Sequence, residues 1–99
     1  MPQLMLGQLV KTTAGRDKGR FMLIIEIVDE DYVYLVDGDL RRVENPKRKK
    51  IKHLKPLNIK AEDIAFKLQN KRNVCNKEVC KALKELVDAS QVGETSNRI

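Results

Sequence analysis

The chain contains no tryptophan, two tyrosines, two phenylalanines and one histidine. So few aromatics do not make a platform for stacking several bases of a single strand. Its two cysteines, Cys75 and Cys80, are separated by four residues. That spacing is neither a C-x2-C pair nor half of a four-ligand set, so zinc binding and dithiol chemistry are not expected. Cys80 is expected in the core, and thiols without a disulfide framework fit a reducing compartment. No apolar run approaches the roughly 18 residues of a membrane helix; the longest covers residues 21–25. The first residues have no basic segment followed by a long apolar one, so no export signal is read and a cytoplasmic location is expected. His53 has no metal-ligand companions at useful spacing. No carboxylate pair in apolar surroundings, no nucleophile elbow and no phosphate-binding P-loop is present; Gly19 is followed by Arg20 and Phe21. These absences predict a protein that is not an enzyme, with no cofactor, no metal, no small-molecule substrate and no membrane partner.

What the chain does have is charge. Its 99 residues fit one domain or one domain with a small appendage. Apolar residues make up 41% and charged residues 34%, a composition that suits a globular domain rather than a disordered chain. Twenty Lys and Arg against fourteen Asp and Glu leave a net charge of +6. The distribution is uneven. Residues 1–20 hold four bases and one acid, residues 21–40 six acids and no base, and residues 41–60 nine bases and one acid. Residues 61–99 are almost balanced, with seven bases and six acids. If the fold joins 11–20 to 41–60, one face becomes strongly basic and orients the domain on a polyanion. The acids would then occupy turns elsewhere.

The first sixty residues read as short strands: 8–13, 21–28, 32–36, 40–44 and 51–54. The second is almost wholly apolar and rich in β-branched residues, as expected of a strand buried on both faces. Asp37-Gly38 reads as a tight turn and Asn45-Pro46 as a break. Five short strands with tight turns predict a small closed SH3-like barrel, with a core of Leu9, Val10, Leu23, Ile25, Ile27, Val33, Leu35 and Val43 or their alternates. Residues 61–70 read as a short helix, though Ile64, Phe66 and Leu68 also fit a strand. Residues 77–88 read as a helix capped by Asn76, with Val79, Cys80, Leu83, Leu86 and Val87 on one face. The fold class expected is mainly β: barrel at 1–58, helical segment at 59–90 and flexible tail at 91–99.

Two segments carry the chemistry. The turn after the first strand sets Gly15 and Gly19 among Arg16, Lys18 and Arg20. Glycine lets backbone approach a phosphate closely, and the bases supply charge-assisted donors. The second runs from Lys47 to Lys55 and holds Lys47, Arg48, Lys49, Lys50, Lys52, His53 and Lys55. Fully extended, it would span roughly 25–30 Å of backbone. The candidate RNA-binding residues are therefore Lys11, Arg16, Lys18, Gly19, Arg20, Arg41, Arg42, Lys47, Arg48, Lys49, Lys50, Lys52 and His53. Phosphate and shape contacts to structured, double-stranded-rich RNA fit this composition better than base readout.

The string Val10-Lys11, Ala14-Gly15-Arg16-Asp17-Lys18-Gly19-Arg20 and the apolar run behind it resembles a KOW motif. With Asp37-Gly38, Arg41-Arg42-Val43, Pro46-Lys47-Arg48-Lys49 and Lys52-His53-Leu54, residues 6–57 resemble KOW-domain proteins related to archaeal and eukaryotic large-subunit ribosomal proteins. The resemblance implies an SH3-like barrel that binds ribosomal RNA, with Gly19 as the motif's glycine and ribosomal proteins as further neighbours. It implies that 16–20 and 47–53 meet RNA. The chain departs from many such relatives in having no long basic tail and in its nearly neutral 61–88. The alternative is a protein-interaction barrel of the NusG-like transcription-elongation kind, which would show an exposed apolar patch instead of the basic block.

Overall fold

The computed structural model describes residues 4–16 and 18–95, the side chains of 90–95 excepted. Five strands, β1 (Gln8–Thr12), β2 (Phe21–Ile27), β3 (Tyr32–Val36), β4 (Lys47–Lys50) and β5 (Leu54–Lys60), form one antiparallel sheet in the order β4-β3-β2-β1-β5. A single 3-10 turn, Ile51–His53, joins the two edge strands. Two helices follow, α1 (Glu62–Gln69) and α2 (Asn76–Thr95).

The sheet curls. Laid flat, β3 and β5 would stand about 14 Å apart, three strand spacings. Instead Val33 and Leu35 of β3 share an enclosed cluster with Leu54 of β5, Val10, Met22 and Ile24. The 3-10 turn spans the gap between the edges. The Ile51 amide donates to the Asp31 carbonyl (2.7 Å), and the Thr13 amide donates to the His53 carbonyl (2.9 Å). The molecule is thus mainly β, a small barrel followed by a helical segment, as the strand count predicted.

Alternation along β1 and β2 explains why residues 21–25 of β2 are all apolar. Val10, Met22 and Ile24 face the barrel interior, while Leu9 and Leu23 face outward. The outward face is covered by the helices: Leu9, Leu23 and Val36 pack with Ala61, Ile64, Val79 and Leu83. In α2, Val79 and Leu83 recur four residues apart, with Leu86 and Val87 one turn on, which sets one stripe against the sheet. α1 begins with Glu62 and Asp63, whose charge favours a helix N-terminus, and buries Ile64 and Ala65. The helices are tied together by Lys67, whose ammonium donates to Glu78.

Several sequence-based expectations need correction. Residues 40–44 are a loop rather than a strand; the fourth strand is the basic run Lys47–Lys50 itself. The segment expected as a strand at 51–54 is the 3-10 turn and the first residue of β5. The run from 47 to 55 is therefore folded and does not span its extended length. Pro56 lies within β5, which it can do because β5 is an edge strand. The β2–β3 register shifts between Ile24 and Glu26, so Ile25 is only partly buried and Ile27 is 41% exposed. Val43 likewise packs at the margin of the core. Cys80 is exposed. Asn76 does not cap α2: the Cys75 amide donates to Glu78, half of a capping box, so Cys75 holds the cap position. Of the tail expected at 91–99, residues up to Thr95 belong to α2, and 96–99 lie outside the described residues.

Candidate nucleic-acid interface

The loop 13–20 leaves β1 and returns into β2. The Thr12 amide donates to the Arg20 carbonyl (2.9 Å) and the Gly19 amide to the Thr12 carbonyl (2.7 Å). The Lys18 amide donates to the Gly15 carbonyl (3.2 Å). Gly19 has φ +87°, a conformation L side chains rarely adopt, and a Cβ built there would touch nothing within 4 Å. Its requirement is conformational, and the loop around it is open. Arg16 and Lys18 are exposed on this loop.

The two basic segments meet, as the charge pattern anticipated. The Lys49 side chain is 9% exposed and donates through Nζ to the Ala14 carbonyl (2.8 Å). Strand alternation decides this. Lys49 pairs with Val33 and Lys47 with Leu35, on the interior face, while Arg48 and Lys50 pair with the outward Tyr34 and Tyr32. The basic run is thus divided between two faces. Lys49 fastens β4 to the 13–20 loop. Arg48 lies over the Tyr32 ring, its guanidinium carbon 4.0 Å from the ring centroid. Lys11 Nζ lies 5.4 Å from the Phe21 centroid, and its cross-strand neighbour is Lys55. Lys52 is exposed, and His53, half-buried, contributes its carbonyl to Thr13.

Of the remaining candidate bases, Arg20 and Arg42 are paired with acids. Arg20 Nη1 stands 3.3 Å from Asp37 Oδ2. Asp37 is 8% exposed, and its other oxygen accepts from the Asp39 and Arg41 amides, both at 2.8 Å. Arg42 Nε donates to Glu44 (2.9 Å), and the Asn76 amide group donates to the same carboxylate (2.8 Å). Those donors, Asn76 foremost and then Arg42, pull the Glu44 carboxyl down to about 2, and Glu44 in turn raises Arg42. Asn76 Oδ1 accepts from the Val43 amide (2.8 Å), so the 37–46 loop is bound to the start of α2.

The acidic block does not lie wholly elsewhere. The turn of Asp29, Glu30 and Asp31 adjoins the end of the basic run through the bond from Ile51, and lines with Lys50 and Lys52 an open cleft of about 570 Å³. Among the described residues no group of three or more His, Cys, Asp or Glu could hold a metal ion. No described helix is long and apolar enough to cross a membrane. Sequence reasoning passed over two residues at this surface. Lys55 was counted in the basic run but not chosen, because its pairing with Lys11 is a matter of register. Tyr32 was read only as a strand residue, because its place under Arg48 depends on which strand β4 is.

No protein-family model matches the chain. The chain is 37% identical over 87 residues to the large ribosomal subunit protein eL14 of Desulfurococcus amylolyticus, covering 86% of the chain and 81% of that protein. It is 29% identical over 90 residues to the protein of the same name from Staphylothermus marinus, covering 88% and 93%. It is 32% identical over 62 residues to that of Methanococcus vannielii, covering 63% and 74%.

Proposed function

Because the chain belongs to the family of large ribosomal subunit protein eL14, we propose that it binds large-subunit ribosomal RNA, without catalysis, through phosphate contacts made by the 13–20 loop, β4 and the 3-10 turn. The barrel, which ends with β5, carries this surface. The helical segment that follows braces it and offers its outer side to neighbouring ribosomal proteins. The place of work is the cytoplasmic ribosome.

One observation carries the reading. Lys49 joins the two basic segments by donating to Ala14, and this sets exposed Arg16 and Lys18 beside β4 and Lys52. Phosphate contacts are assigned to Lys11, Arg16, Lys18, Lys47, Arg48, Lys50 and Lys52. Gly19 permits the loop shape, Lys49 and His53 hold it, and Arg20, Arg41 and Arg42 belong to the flanking loop. The NusG-like alternative has less support, because the cations here are not replaced by an apolar patch.

The test is filter binding of protein-free large-subunit RNA across a salt series. Each neutralised phosphate contributes about 0.9 to the slope of log affinity against log salt on a duplex. Replacing Arg16, Lys18, Lys47 and Lys52 together by Ala should lower that slope by about three to four. An unchanged slope with the fold intact refutes the surface assigned here.

A further inference from the structure

We propose that Arg48, lying over Tyr32, is a stacking site for one unpaired RNA base. The proposal rests on the RNA-binding reading above and adds to it a ligand chemistry that phosphate contacts do not supply.

The site is built by strand register. Tyr32 stands opposite Lys50, and Arg48 reaches it along the diagonal, a distance that long side chains cover. The guanidinium carbon lies 4.0 Å from the ring centroid, which is van der Waals contact, and Lys50 Nζ lies 5.9 Å from the same centroid. Tyr32 is half-buried and Arg48 is exposed. A guanidinium has two flat faces. Tyr32 lies against the group, and Arg48 as a whole remains exposed, which leaves guanidinium surface for a ligand.

That arrangement differs from an arginine poised only for phosphate. Phosphate is bound by the N–H edge of the fork, in its plane. A guanidinium lying over a ring offers a nucleobase a flat surface to stack on. Here contact with the ring restrains the group in advance, so less side-chain freedom is lost when a base arrives. The N–H edge stays available to the phosphate of the same nucleotide, and Lys50 lies alongside. A paired base has both faces covered by its neighbours, so the ligand is a bulged or looped-out nucleotide. One ring and one guanidinium accommodate one base, which agrees with the scarcity of aromatics.

The experiment uses two RNA hairpins, identical except that one carries a single bulged 2-aminopurine. Affinity for each is measured across a salt series with the wild-type chain, Tyr32→Leu and Arg48→Lys. Arg48→Lys keeps the charge and removes the plane. The wild type should prefer the bulged hairpin by about tenfold and change the 2-aminopurine fluorescence, the effect of one stacked base. Both variants should reduce the preference, expressed as the ratio of the two affinities, to about one. A urea midpoint reports whether Tyr32→Leu has altered the fold, and Arg48→Lys, at an exposed position, tests the site independently. A wild-type ratio of one with salt-dependent binding of both hairpins overturns the stacking site and leaves the phosphate-binding reading standing. A preference that survives Arg48→Lys also overturns it. No salt-dependent binding of either hairpin overturns both.

Discussion

The loops 13–20 and 37–46 are alike in sequence and unlike in what surrounds them. Each connects neighbouring antiparallel strands, and each has arginines and a glycine at positive φ. The 37–46 loop is packed. Asp37 gathers its amides and Arg20, Asn76 accepts from Val43, and Gly38 abuts the first turn of α2. The 13–20 loop stands open, shaped by its own backbone bonds and tethered by Lys49. The difference separates bases that fasten the molecule from bases that remain for a partner. Where acids accompany arginines, as at Asp37 and Glu44, the charge is spent on ion pairs within and between the barrel loops. Where the tethers are a carbonyl and a ring, the positive field stays.

The two glycines give the largest contrast. At Gly38, with φ +79°, a Cβ would lie 2.5 Å from the Asn76 carbonyl oxygen and 2.8 Å from Cys80 Sγ. Gly38→Ala therefore adds a backbone clash to left-handed strain, and should cost about 2–4 kcal/mol. Gly19→Ala meets only the strain and should cost about 1 kcal/mol. Urea midpoints of the two variants measure this. Equal losses would mean that the 37–46 loop is no more firmly packed than the other.

Lys49 sharpens the comparison from the other side. It is the tether that the open loop draws from β4. Lys49→Met keeps the length of the side chain and removes the donor. The lost charge-assisted bond is offset in part by no longer burying an ammonium, so the net cost should be about 1 kcal/mol. The more telling readout is local: hydrogen exchange at Lys18 and Gly19 should quicken severalfold, while exchange at Arg41 and Val43 holds. If both loops loosen together, the loops are not independent units.

These contrasts also mark what could be read from residues alone. The strand at Phe21–Ile27 was legible because the apolar run 21–25 is strand-sized and the segment is rich in isoleucine. The helix containing Val79 and Leu83 was legible from its period. The fourth strand was not, because Lys47–Lys50 has no apolar residue and Leu40 and Val43 imitate a strand. Its existence depends on pairing with β3, which is tertiary information. The same gap hid the division of the candidate site. Charge density picked out the basic run, but the two-residue alternation that makes Lys49 a tether and Arg48 a surface group follows only once β4 is known. Asn76 was read as a cap because local sequence could not show the 37–46 loop beside it.

The smallest effect concerns acid. Glu44 has its carboxyl at about 2 in the folded chain against an ordinary value of 4.5, because Asn76 and Arg42 donate to it. Glu78 is lowered in the same direction, first by Lys67 and then by the Cys75 amide. A lowered folded value means that the contribution is fully present above 4.5 and is lost as pH falls from there towards 2. Both carboxylates are solvated, so the loss is modest and screened by salt. It is also local. The described backbone bonds that shape the 13–20 loop involve no side-chain carboxylate, whereas Glu44 and Asn76 hold the 37–46 loop to α2, so acid should loosen the 37–46 loop first. Carboxyl-detected NMR should place the Glu44 midpoint near 2, with faster exchange at Val43 below pH 4.5 and no matching change at Gly19. Glu44→Gln should remove the pH dependence at Val43 while retaining a partner for Asn76. A Glu44 midpoint near 4.5 would show that the Arg42–Glu44–Asn76 contact does not persist in solution, and that the packed loop depends on Asp37 and Gly38 instead.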